Sequence, residues 1–371
     1  MKIIREDLLK KLESITPGLT EKEVLEQSSC FVFKNGRIAT FNDEVACSID
    51  FESEIEGAIK AKPLLELLRR LTESELTVTF EDKQLRIRGE RRKAGIHAEE
   101  EVTLPVDSVD MPTKWRTLHN EFSEAVGIVG QCCSKDQSRF VLTCVHIHPE
   151  WLEATDNSQI TRYPMKTGIK ESRLIRWSAI KSIAGADVTE FGETENWLHF
   201  RNPVGLVISC RRYLDQFPSE TSKVLNVTGD EITLPEGLSD AVARASIFSK
   251  NSAEKEEQVE IHLKPGAMRL EGRGFEGWYV ESKKIIYNGA EVKFSTTPKL
   301  LVELVKRSNQ CILGDRKLKV QTEKFVYVAC TIVGKDKEKE GEGKTCYLRV
   351  LRKKNAARQG RLYQQEAALQ H

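Results

Sequence analysis

The strongest constraint on this chain is a pattern that recurs three times along its 371 residues. Apolar residues at helical spacing mark a first helix in each repeat, at residues 6–15, 121–132 and 237–248, and these helices begin about 115 residues apart. A second amphipathic helix follows in each repeat, at residues 63–71, 177–186 and 298–308. A fixed period of this kind predicts tandem copies of one small domain.

Short apolar runs follow each predicted helix and favour strands with one buried face. They lie at residues 31–33, 145–147 and 259–261 after the first helices, and at 76–80, 197–200 and 318–320 after the second. Asn35-Gly36 and Pro265-Gly266 follow two of these runs and are strong turn formers. The sequence therefore predicts an α+β fold in which two helices per repeat cover an antiparallel sheet.

Proline-containing linkers separate the repeats, at residues 104–114 and 217–236. The predicted domains are residues 1–115, 116–233 and 234–352, followed by a tail at 353–371. The length agrees with this division, because one hydrophobic core rarely organises so long a chain.

The composition is that of a globular protein, with 39% hydrophobic residues and a net charge of +1. No apolar run is long enough to span a bilayer, and the amino terminus lacks the pattern of a secretory signal, so we expect a cytoplasmic protein. The charge argues against tight, phosphate-saturating nucleic-acid binding and leaves room for weak contact through a locally basic surface. Nine cysteines without CxxC spacing indicate reduced thiols in the core.

Motifs for chemistry are weak. Gly343-Lys344-Thr345 resembles the end of a phosphate-binding loop, but Glu338 stands where the first glycine is required, so we interpret it as a hairpin loop. His146 and His148 share one strand face without an evident third ligand. We therefore expect no metal, no cofactor and no catalytic residues.

Each repeat would leave a sheet edge open at both ends, and such an array is stabilised when neighbouring edges pair and the array closes into a ring. The segments 152–157 (Leu-Glu-Ala-Thr-Asp-Asn), 215–218 (Asp-Gln-Phe-Pro) and 223–225 (Lys-Val-Leu) occur in this order along the chain. Together with the order of elements, they resemble the bacterial-type DNA sliding clamp, the beta subunit of the replicative polymerase. The resemblance covers residues 1–351.

The resemblance implies three tandem DNA-clamp domains that close into a ring as a head-to-tail homodimer around duplex DNA. Such a ring tethers the replicative polymerase and other replication and repair proteins, binds the polymerase and a clamp loader through short linear peptides, and is not an enzyme. It acts in the cytoplasm at the nucleoid. The short motifs favour a divergent member, and a phage-encoded one is a hypothesis.

The resemblance also implies which residues face DNA, through loose, water-mediated phosphate contacts that read no bases. They are Lys10, Lys11, Arg69, Arg70, Lys135, Arg139, Arg176, Lys181, Lys250, Lys299, Lys306 and Arg307. The alternative for each is a solvated helix face without a DNA contact.

A second implied site is a pocket for short linear peptides of partner proteins. Its residues by motif position are Leu142, Thr155, Asn157, Ser158, Gln159, Ile160, Pro218, Lys223, Val224, Leu348, Val350 and Leu351. Asn157-Ser158-Gln159 departs from the family's Gly-His-Arg, and Asn tolerates the left-handed backbone that Gly would supply. The departure leaves partner preference open, and a plain turn and core is the alternative.

A dimer interface is implied at the second helix of the first domain, with Lys62, Leu64 and Leu67, and beyond the first helix of the third domain. There Ile247 lies opposite the apolar face of its helix, with Phe248 beside it, which suggests a second buried contact. A local turn contact is the alternative. The tail at 353–371 is expected to be solvated, although Leu362 and Tyr363 offer a second reading in which they occupy the chain's own peptide pocket.

Two other classes of protein stay open at this point. A repeat-built structural or scaffold protein would also use three similar domains, without stimulating polymerase processivity. An α+β enzyme would need converging ionisable groups. A trimeric ring conflicts with the repeat number, since it requires two domains per subunit.

Overall fold

The predicted α+β class is confirmed by a computed structural model, which describes residues 1–249 and 257–333. The named strands pair in an antiparallel manner, from the first hairpin of the chain to the last described strands. The residues fall into two compact units. Unit 1 comprises Met1–Gly130, Cys144–Glu150 and Lys166–Asp215, and unit 2 comprises Gln131–Thr143, Trp151–Met165 and the described residues from Gln216 onward.

The helices are α1 (Arg5–Ser14), α2 (Ala61–Arg70), α3 (Phe122–Gly130), α4 (Trp177–Ile180), α5 (Thr221–Leu225), α6 (Leu238–Ser246) and α7 (Pro298–Arg307). The strands before α3 are β1 (Lys2–Ile4), β2 (Cys30–Lys34), β3 (Arg37–Phe41), β4 (Val45–Asp50), β5 (Gly57–Lys60), β6 (Glu75–Glu81), β7 (Gln84–Arg88), β8 (Lys93–Glu99) and β9 (Arg116–Thr117). Those between α3 and α5 are β10 (Cys144–His148), β11 (Trp151–Thr155), β12 (Gln159–Pro164), β13 (Arg173–Arg176), β14 (Glu190–Glu193), β15 (Trp197–Arg201) and β16 (Val207–Arg211). The remainder are β17 (Asp230–Thr233), β18 (Val259–Lys264), β19 (Ala267–Gly274), β20 (Gly277–Lys284), β21 (Val292–Thr296), β22 (Gln310–Gly314), β23 (Lys317–Gln321), β24 (Val326–Cys330) and β25 (Ile332–Val333).

Unit 1 is built on a twelve-stranded sheet in the order β1-β6-β7-β8-β5-β2-β3-β4-β16-β15-β14-β9. The β2–β3 hairpin turns at Asn35 and Gly36, whose φ angles of 50° and 69° are both left-handed. This is the backbone that a two-residue hairpin requires, which explains why this dipeptide is a reliable turn signal. Fully buried Phe31, Phe33 and Ile38 place the core against these strands.

Unit 2 holds six strands in the order β11-β12-β24-β23-β22-β17 and a five-stranded sheet in the order β20-β19-β18-β21-β25. In β19 the residues at every second position, Met268 and Leu270 among them, are buried. The helix α6 covers this side of the sheet with Ala241, Val242 and Ala245. The alternation in sequence thus becomes one buried and one solvated sheet face.

The predicted helices agree with the structure to within two residues at most ends, apart from the second helix of the middle repeat. The prediction there is residues 177–186, but α4 ends at Ile180 and gives way to a 3₁₀ turn at Lys181–Ile183. Gly185 has a φ of +82°, which a helix cannot contain. Gly130 at the end of α3 lies against the Trp177 ring at the start of α4, and a Cβ at this position would be 2.1 Å from the ring. Only glycine therefore fits there.

The cysteines behave as predicted where they are buried. Burial raises the pKa of the Cys47, Cys132 and Cys311 thiols to about 12, so they stay protonated and inert near neutral pH. None of the helices within residues 1–249 and 257–333 is long and apolar enough to cross a membrane.

Candidate functional sites

The two helices at the start of unit 1 pack together and carry four of the predicted DNA-facing cations. Arg69 pairs with Glu13 of α1 at 2.8 Å, and Lys11 donates to the Asp50 carbonyl oxygen at 2.7 Å. Lys10 pairs with Glu6 of its own helix at 3.0 Å, and both side chains are well exposed. Arg70 is exposed at the end of α2. Three of these four cations, Arg69, Lys11 and Lys10, therefore contact an oxygen atom of their own chain.

The predicted cations near α3 and α4 differ in their environments. Lys135 and Lys181 are exposed, whereas Arg139 lies 3.7 Å from Asp136 and is only half-exposed. Arg176 donates to Glu44 at 2.5 Å, and Ser178 donates to the other oxygen of the same carboxylate at 3.0 Å. Arg176 thus fastens the start of α4 to the turn between β3 and β4, where its charge is largely compensated.

The sequence interpretation of Arg307 is wrong. The helical pattern places it on the polar face of α7 with Lys299 and Lys306, which are exposed. Instead its guanidinium stacks on the Tyr327 ring at 4.3 Å, and only 7% of the side chain is accessible. It also donates to the Glu303 carbonyl oxygen at 2.7 Å. Arg307 is a core cation and has no surface for a phosphate.

The predicted pocket begins with a tightly bonded turn between β11 and β12. Asn157 has a φ of +74°, so it takes the left-handed backbone that the sequence predicts for it. Asp156 accepts the backbone N–H groups of Ser158 and Gln159 at 2.8 and 3.0 Å. Gln159 in turn donates to Asp156 at 2.9 Å and accepts from the Tyr327 hydroxyl at 2.9 Å. The turn is held from both sides, with Ser158 at its exposed tip.

A buried ion pair connects this sheet to α5. Arg162 donates from Nε and Nη2 to one Glu153 oxygen at 2.9 and 2.7 Å, and the Glu153 side chain is only 2% exposed. The remaining guanidinium donors reach Thr221 and Ser222 at the start of α5, at 2.9 and 3.0 Å. The plane of Arg162 also covers Trp151 at 4.5 Å. Sequence analysis missed this network, because its five members are scattered over seventy positions without a shared motif.

Beside this network lies an apolar cluster that joins α5 to the sheet. It consists of Ile160, Val224, Leu225, Val227 and Val328, with Ile312, Val326 and Cys330 packed against it at partial exposure.

Of the predicted pocket residues, Ile160 and Val224 belong to the cluster and Gln159 is buried beside it, whereas the polar Asn157, Ser158 and Lys223 remain at its accessible rim. Leu142, Thr155 and Pro218 are buried in the same unit. Leu348, Val350 and Leu351 lie outside the described residues, as do Lys250, the Gly343-Lys344-Thr345 segment and the tail with Leu362 and Tyr363.

The predicted dimer residues separate into buried and exposed groups. Leu64 is fully buried inside its own chain, so it offers nothing to a partner, and this part of the prediction is wrong. Lys62 is exposed and Leu67 half-exposed on α2. Ile247 is 62% exposed just after α6, and Phe248 lies so close to Gly277 that a Cβ there would be 3.3 Å from its ring. The apolar end of α6 therefore borders β20.

Among the described strands, β20 lies at the edge of its sheet, and a charged network covers the face of β20 that is turned toward α6. Tyr279 and Arg244 both donate to Glu281, at 2.6 and 2.7 Å, and Lys283 lies 3.3 Å from the same carboxylate. These hydrogen bonds lower the pKa of Glu281 to about 2. The exposed Phe275 and Trp278 mark the hairpin tip before and at the start of this strand.

The two histidines of β10 lie with ring centroids 6.1 Å apart. Over the ranges 1–249 and 257–333 there is no group of three His, Cys, Asp or Glu side chains arranged to hold a metal ion.

Comparison by sequence yields no match to any family model, and no curated protein is detectably similar. Comparison by structure gives many matches. The sliding clamp of Pseudomonas aeruginosa aligns with a TM-score of 0.76 at 15% identity, over 90% of this chain and 99% of that one. The DNA polymerase III beta subunit of Thermotoga maritima aligns with a TM-score of 0.77 at 14% identity, over 89% and 98%.

A sliding clamp of Bartonella birtlesii, solved with griselimycin bound, aligns with a TM-score of 0.78 at 15% identity, over 90% of this chain and 99% of that one. The chain therefore has the sliding-clamp fold, as the resemblance in sequence implies. At this level of identity the likeness establishes the architecture alone.

Proposed function

We propose that this chain is a DNA sliding clamp, a non-enzymatic ring that encircles duplex DNA and tethers a replicative polymerase and other replication proteins. The observation that carries the proposal is the match in fold, which spans nine-tenths of this chain and nearly all of each clamp. A scaffold protein or an enzyme has no comparable support.

Ring closure is supported by two strand pairings inside the chain. In unit 1, residues 45–48 of β4 pair with residues 207–210 of β16. In unit 2, residues 159–162 of β12 pair with residues 326–329 of β24. In both cases the third strand of the first sheet portion of one repeat, β4 or β12, pairs with the last strand of the next repeat, β16 or β24. The repeats are thus joined by one kind of junction, used twice.

In the order of elements, β20 of the third repeat corresponds to β4 and β12, and β8 of the first repeat corresponds to β16 and β24. Within the described residues, β20 has a neighbour on one side only, and β8 meets β5 only at residues 98 and 99. We infer that β20 of one subunit pairs with β8 of its partner, which makes a homodimer with two such seams. Three predicted domains per chain, doubled, then close the ring.

The repeats also supply the register of this seam. Counted along the middle strand of each repeat from the turn that precedes it, at residues 35–36, 149–150 and 265–266, residues 279–282 of β20 correspond to residues 45–48 and 159–162. The third residue before the second helix of each repeat, at positions 58, 174 and 295, pairs with residue 99, 213 or 332 of the last strand or the segment after it. Counted back from these three residues, positions 93–96 of β8 correspond to 207–210 and 326–329. Tyr279 is therefore expected opposite Ile96 of the partner subunit, and Glu281 opposite Ala94.

A pair of cysteines tests this register. Ala94→Cys with Glu281→Cys in one chain should give a covalent dimer on mild oxidation, because directly opposed strand positions fall within the Cα separation of a disulfide. Ala94→Cys with Tyr279→Cys shifts the pair by two residues and serves as the control. Equal cross-linking of both variants, or none above the wild-type background, would contradict the pairing.

The same covalent ring tests the encirclement of DNA. The oxidised Ala94→Cys, Glu281→Cys protein, closed in the presence of a circular plasmid, should remain with the DNA through gel filtration in 1 M NaCl. One cut in the plasmid should release it, because topology and not affinity holds the ring. Retention on linear DNA, or loss from the circle, would show that the protein does not encircle DNA.

Contact with the duplex is proposed for the predicted cations that are exposed in the structure. These are Lys10, Arg69, Arg70, Lys135, Lys181, Lys299 and Lys306. Long, flexible side chains of this kind meet phosphates without reading sequence, which suits a ring that must move along DNA. Lys11 and Arg176 lie closer to compensating groups and are expected to contribute less.

Partner peptides are proposed to bind on the α5 side of the β11–β12 turn, against the cluster of Ile160, Val224 and Val328. Griselimycin, which is bound in the Bartonella clamp, is the probe we choose. Calorimetry should detect its binding to this chain, and Ser158→Trp should weaken binding at least tenfold by blocking the rim. Lys166→Glu, on an exposed site of unit 1, should leave binding unchanged. Equal binding to all three proteins would place the ligand elsewhere.

A further inference from the structure

Trp278 is a large apolar side chain whose exposed position is not explained by residues 1–249 and 257–333 of its own chain. It is 65% exposed at the start of β20. Its cross-strand neighbour is Arg273, which donates to Glu271 at 2.6 Å and thus belongs to a satisfied charged row on β19. The ring of Trp278 therefore stands at the open edge of the sheet, on the face opposite to the buried Met268 and Leu270.

The edge that β20 is proposed to meet has a gap on the same face. Gly95 lies in the middle of β8, between the exposed Lys93 and His97. Having no side chain, it leaves a slot one residue wide. The exposed side chain of Gln84 on the adjoining strand lies over this position, since a Cβ on Gly95 would lie 2.6 Å from Gln84 Oε1. The amide is the far end of a flexible side chain, so it can turn aside for a flat ring that approaches from the free edge of β8.

We propose that Trp278 fills the slot over Gly95 of the partner subunit, and that this contact anchors the ring's seam. The proposal rests on the proposed function, because the register of the β20–β8 pairing places Trp278 opposite His97 and diagonal to Gly95 on the same face. In that register Val280 is directly opposite Gly95, and Trp278 is the diagonal neighbour two positions away. Diagonal neighbours on one face lie within reach of an aromatic ring.

The physical gain has two parts. A glycine in a strand exposes backbone to water and weakens the strand, and an aromatic ring from the neighbouring strand covers it. At the same time Trp278 loses most of its own exposed apolar surface, which is the principal driving force of association. Since tryptophan in a fitted pocket is the commonest anchor of protein interfaces, one residue can dominate the seam.

The corresponding positions at the internal junctions are polar, which makes the contact specific to the seam. Counted along the middle strand from the turn that precedes it, Trp278 corresponds to Glu44 in unit 1, which accepts from Arg176 and Ser178. In unit 2 it corresponds to Ser158 at the tip of the β11–β12 turn. An apolar anchor replaces them only where the chain must find a second copy.

Sedimentation equilibrium of the full chain tests the contact. Trp278→Ala should raise the dimer dissociation constant about 30-fold, whereas Trp278→Phe should restore most of the affinity. Leu214→Ala removes a side chain of similar exposure away from both edges and should change nothing. Gly95→Val, which fills the slot, should weaken the wild-type dimer but add little to Trp278→Ala, since both remove one interaction.

The outcomes separate the two proposals. A wild-type chain that stays monomeric at every concentration refutes the ring itself. A wild-type dimer whose affinity Trp278→Ala leaves unchanged refutes the anchor and leaves the ring standing. Additive effects of Gly95→Val and Trp278→Ala likewise refute the contact, because they show that the two residues act independently. Unchanged thermal unfolding of the monomeric fraction excludes misfolding as the cause of any loss.

Discussion

His199 is the residue whose burial has the clearest consequence for stability. It is fully buried in unit 1, with its ring nitrogens 2.7 Å from the Ser209 hydroxyl and 3.1 Å from that of Thr194. Burial, together with the charge of Arg212, lowers its pKa to about 4 from 6.5. The folded chain therefore keeps this imidazole neutral over a range in which the unfolded chain protonates it.

This difference predicts acid sensitivity. Between pH 6.5 and 4 the unfolded state binds more protons, so the free energy of unfolding should fall with pH by up to about 3 kcal/mol and then level off. Urea unfolding at a series of pH values measures the slope. His199→Gln should flatten it in this range, and an unchanged slope in that variant would assign the effect to other groups.

The Arg162–Glu153 pair makes a second prediction at the residue scale. Since Glu153 is almost completely buried, Arg162→Met leaves an unpaired carboxylate and should lower the free energy of unfolding by about 3–5 kcal/mol. Adding Glu153→Leu should recover a large part of the loss. Lys166→Met, at an exposed site, is the control and should cost less than about 0.5 kcal/mol. Thermal unfolding that ranks the double variant below Arg162→Met would contradict this account.

At the scale of elements, the edge of β20 allows a test of pairing without a large change in side chain. A two-residue turn joins β19 to β20, so Gly277, Tyr279, Glu281 and Lys283 form the hydrogen-bonded pairs with β19, and the N–H groups of the even residues point outward. Ser282→Pro removes one outward donor only. It should abolish dimerisation in sedimentation experiments and leave far-UV circular dichroism close to that of the wild type.

Lys283→Pro is the matched control for that variant. It removes an N–H donor that points toward β19 opposite Met268, so it should destabilise the five-stranded sheet itself and lower the midpoint temperature of unfolding. If Ser282→Pro destabilises the fold as much as Lys283→Pro, the outer edge of β20 does not have the geometry assigned to it.

The elements were predictable where local chemistry decides them. Asn35-Gly36 specifies its turn, and the apolar spacing of residues 63–71 specifies a helix, so both follow from neighbours in sequence. Arg307 was not predictable, because the ring that captures it belongs to a strand twenty residues later. Leu64 failed for a related reason: the resemblance implies a dimer contact at its helix, but Leu64 is buried inside its own chain, where α2 packs against α1 and β5.

At the scale of the whole molecule, the net charge of +1 agrees with a protein that holds DNA weakly. Replacement of Arg70, Lys181 and Lys299 by alanine should reduce the salt dependence of binding to a short linear duplex, with the slope of log K against log salt falling by up to about 0.9 per lost phosphate contact. Fluorescence anisotropy over a salt series measures this slope. Retention of covalently closed rings on circular DNA should not change, and a loss there would mean that the charges and not the closed ring retain the DNA.

The open edges of β20 and β8 have one more consequence. If the β20 edge of one copy pairs with the β8 edge of the next, copies add end to end without limit unless the growing assembly closes on itself. In the proposed ring, part of that bend belongs to the two junctions inside each chain, β4 with β16 and β12 with β24. A substitution that alters the twist at either junction should therefore convert closed dimers into fibres while leaving every seam contact intact. Natural selection can then act on the curvature separately from the contacts at the seam.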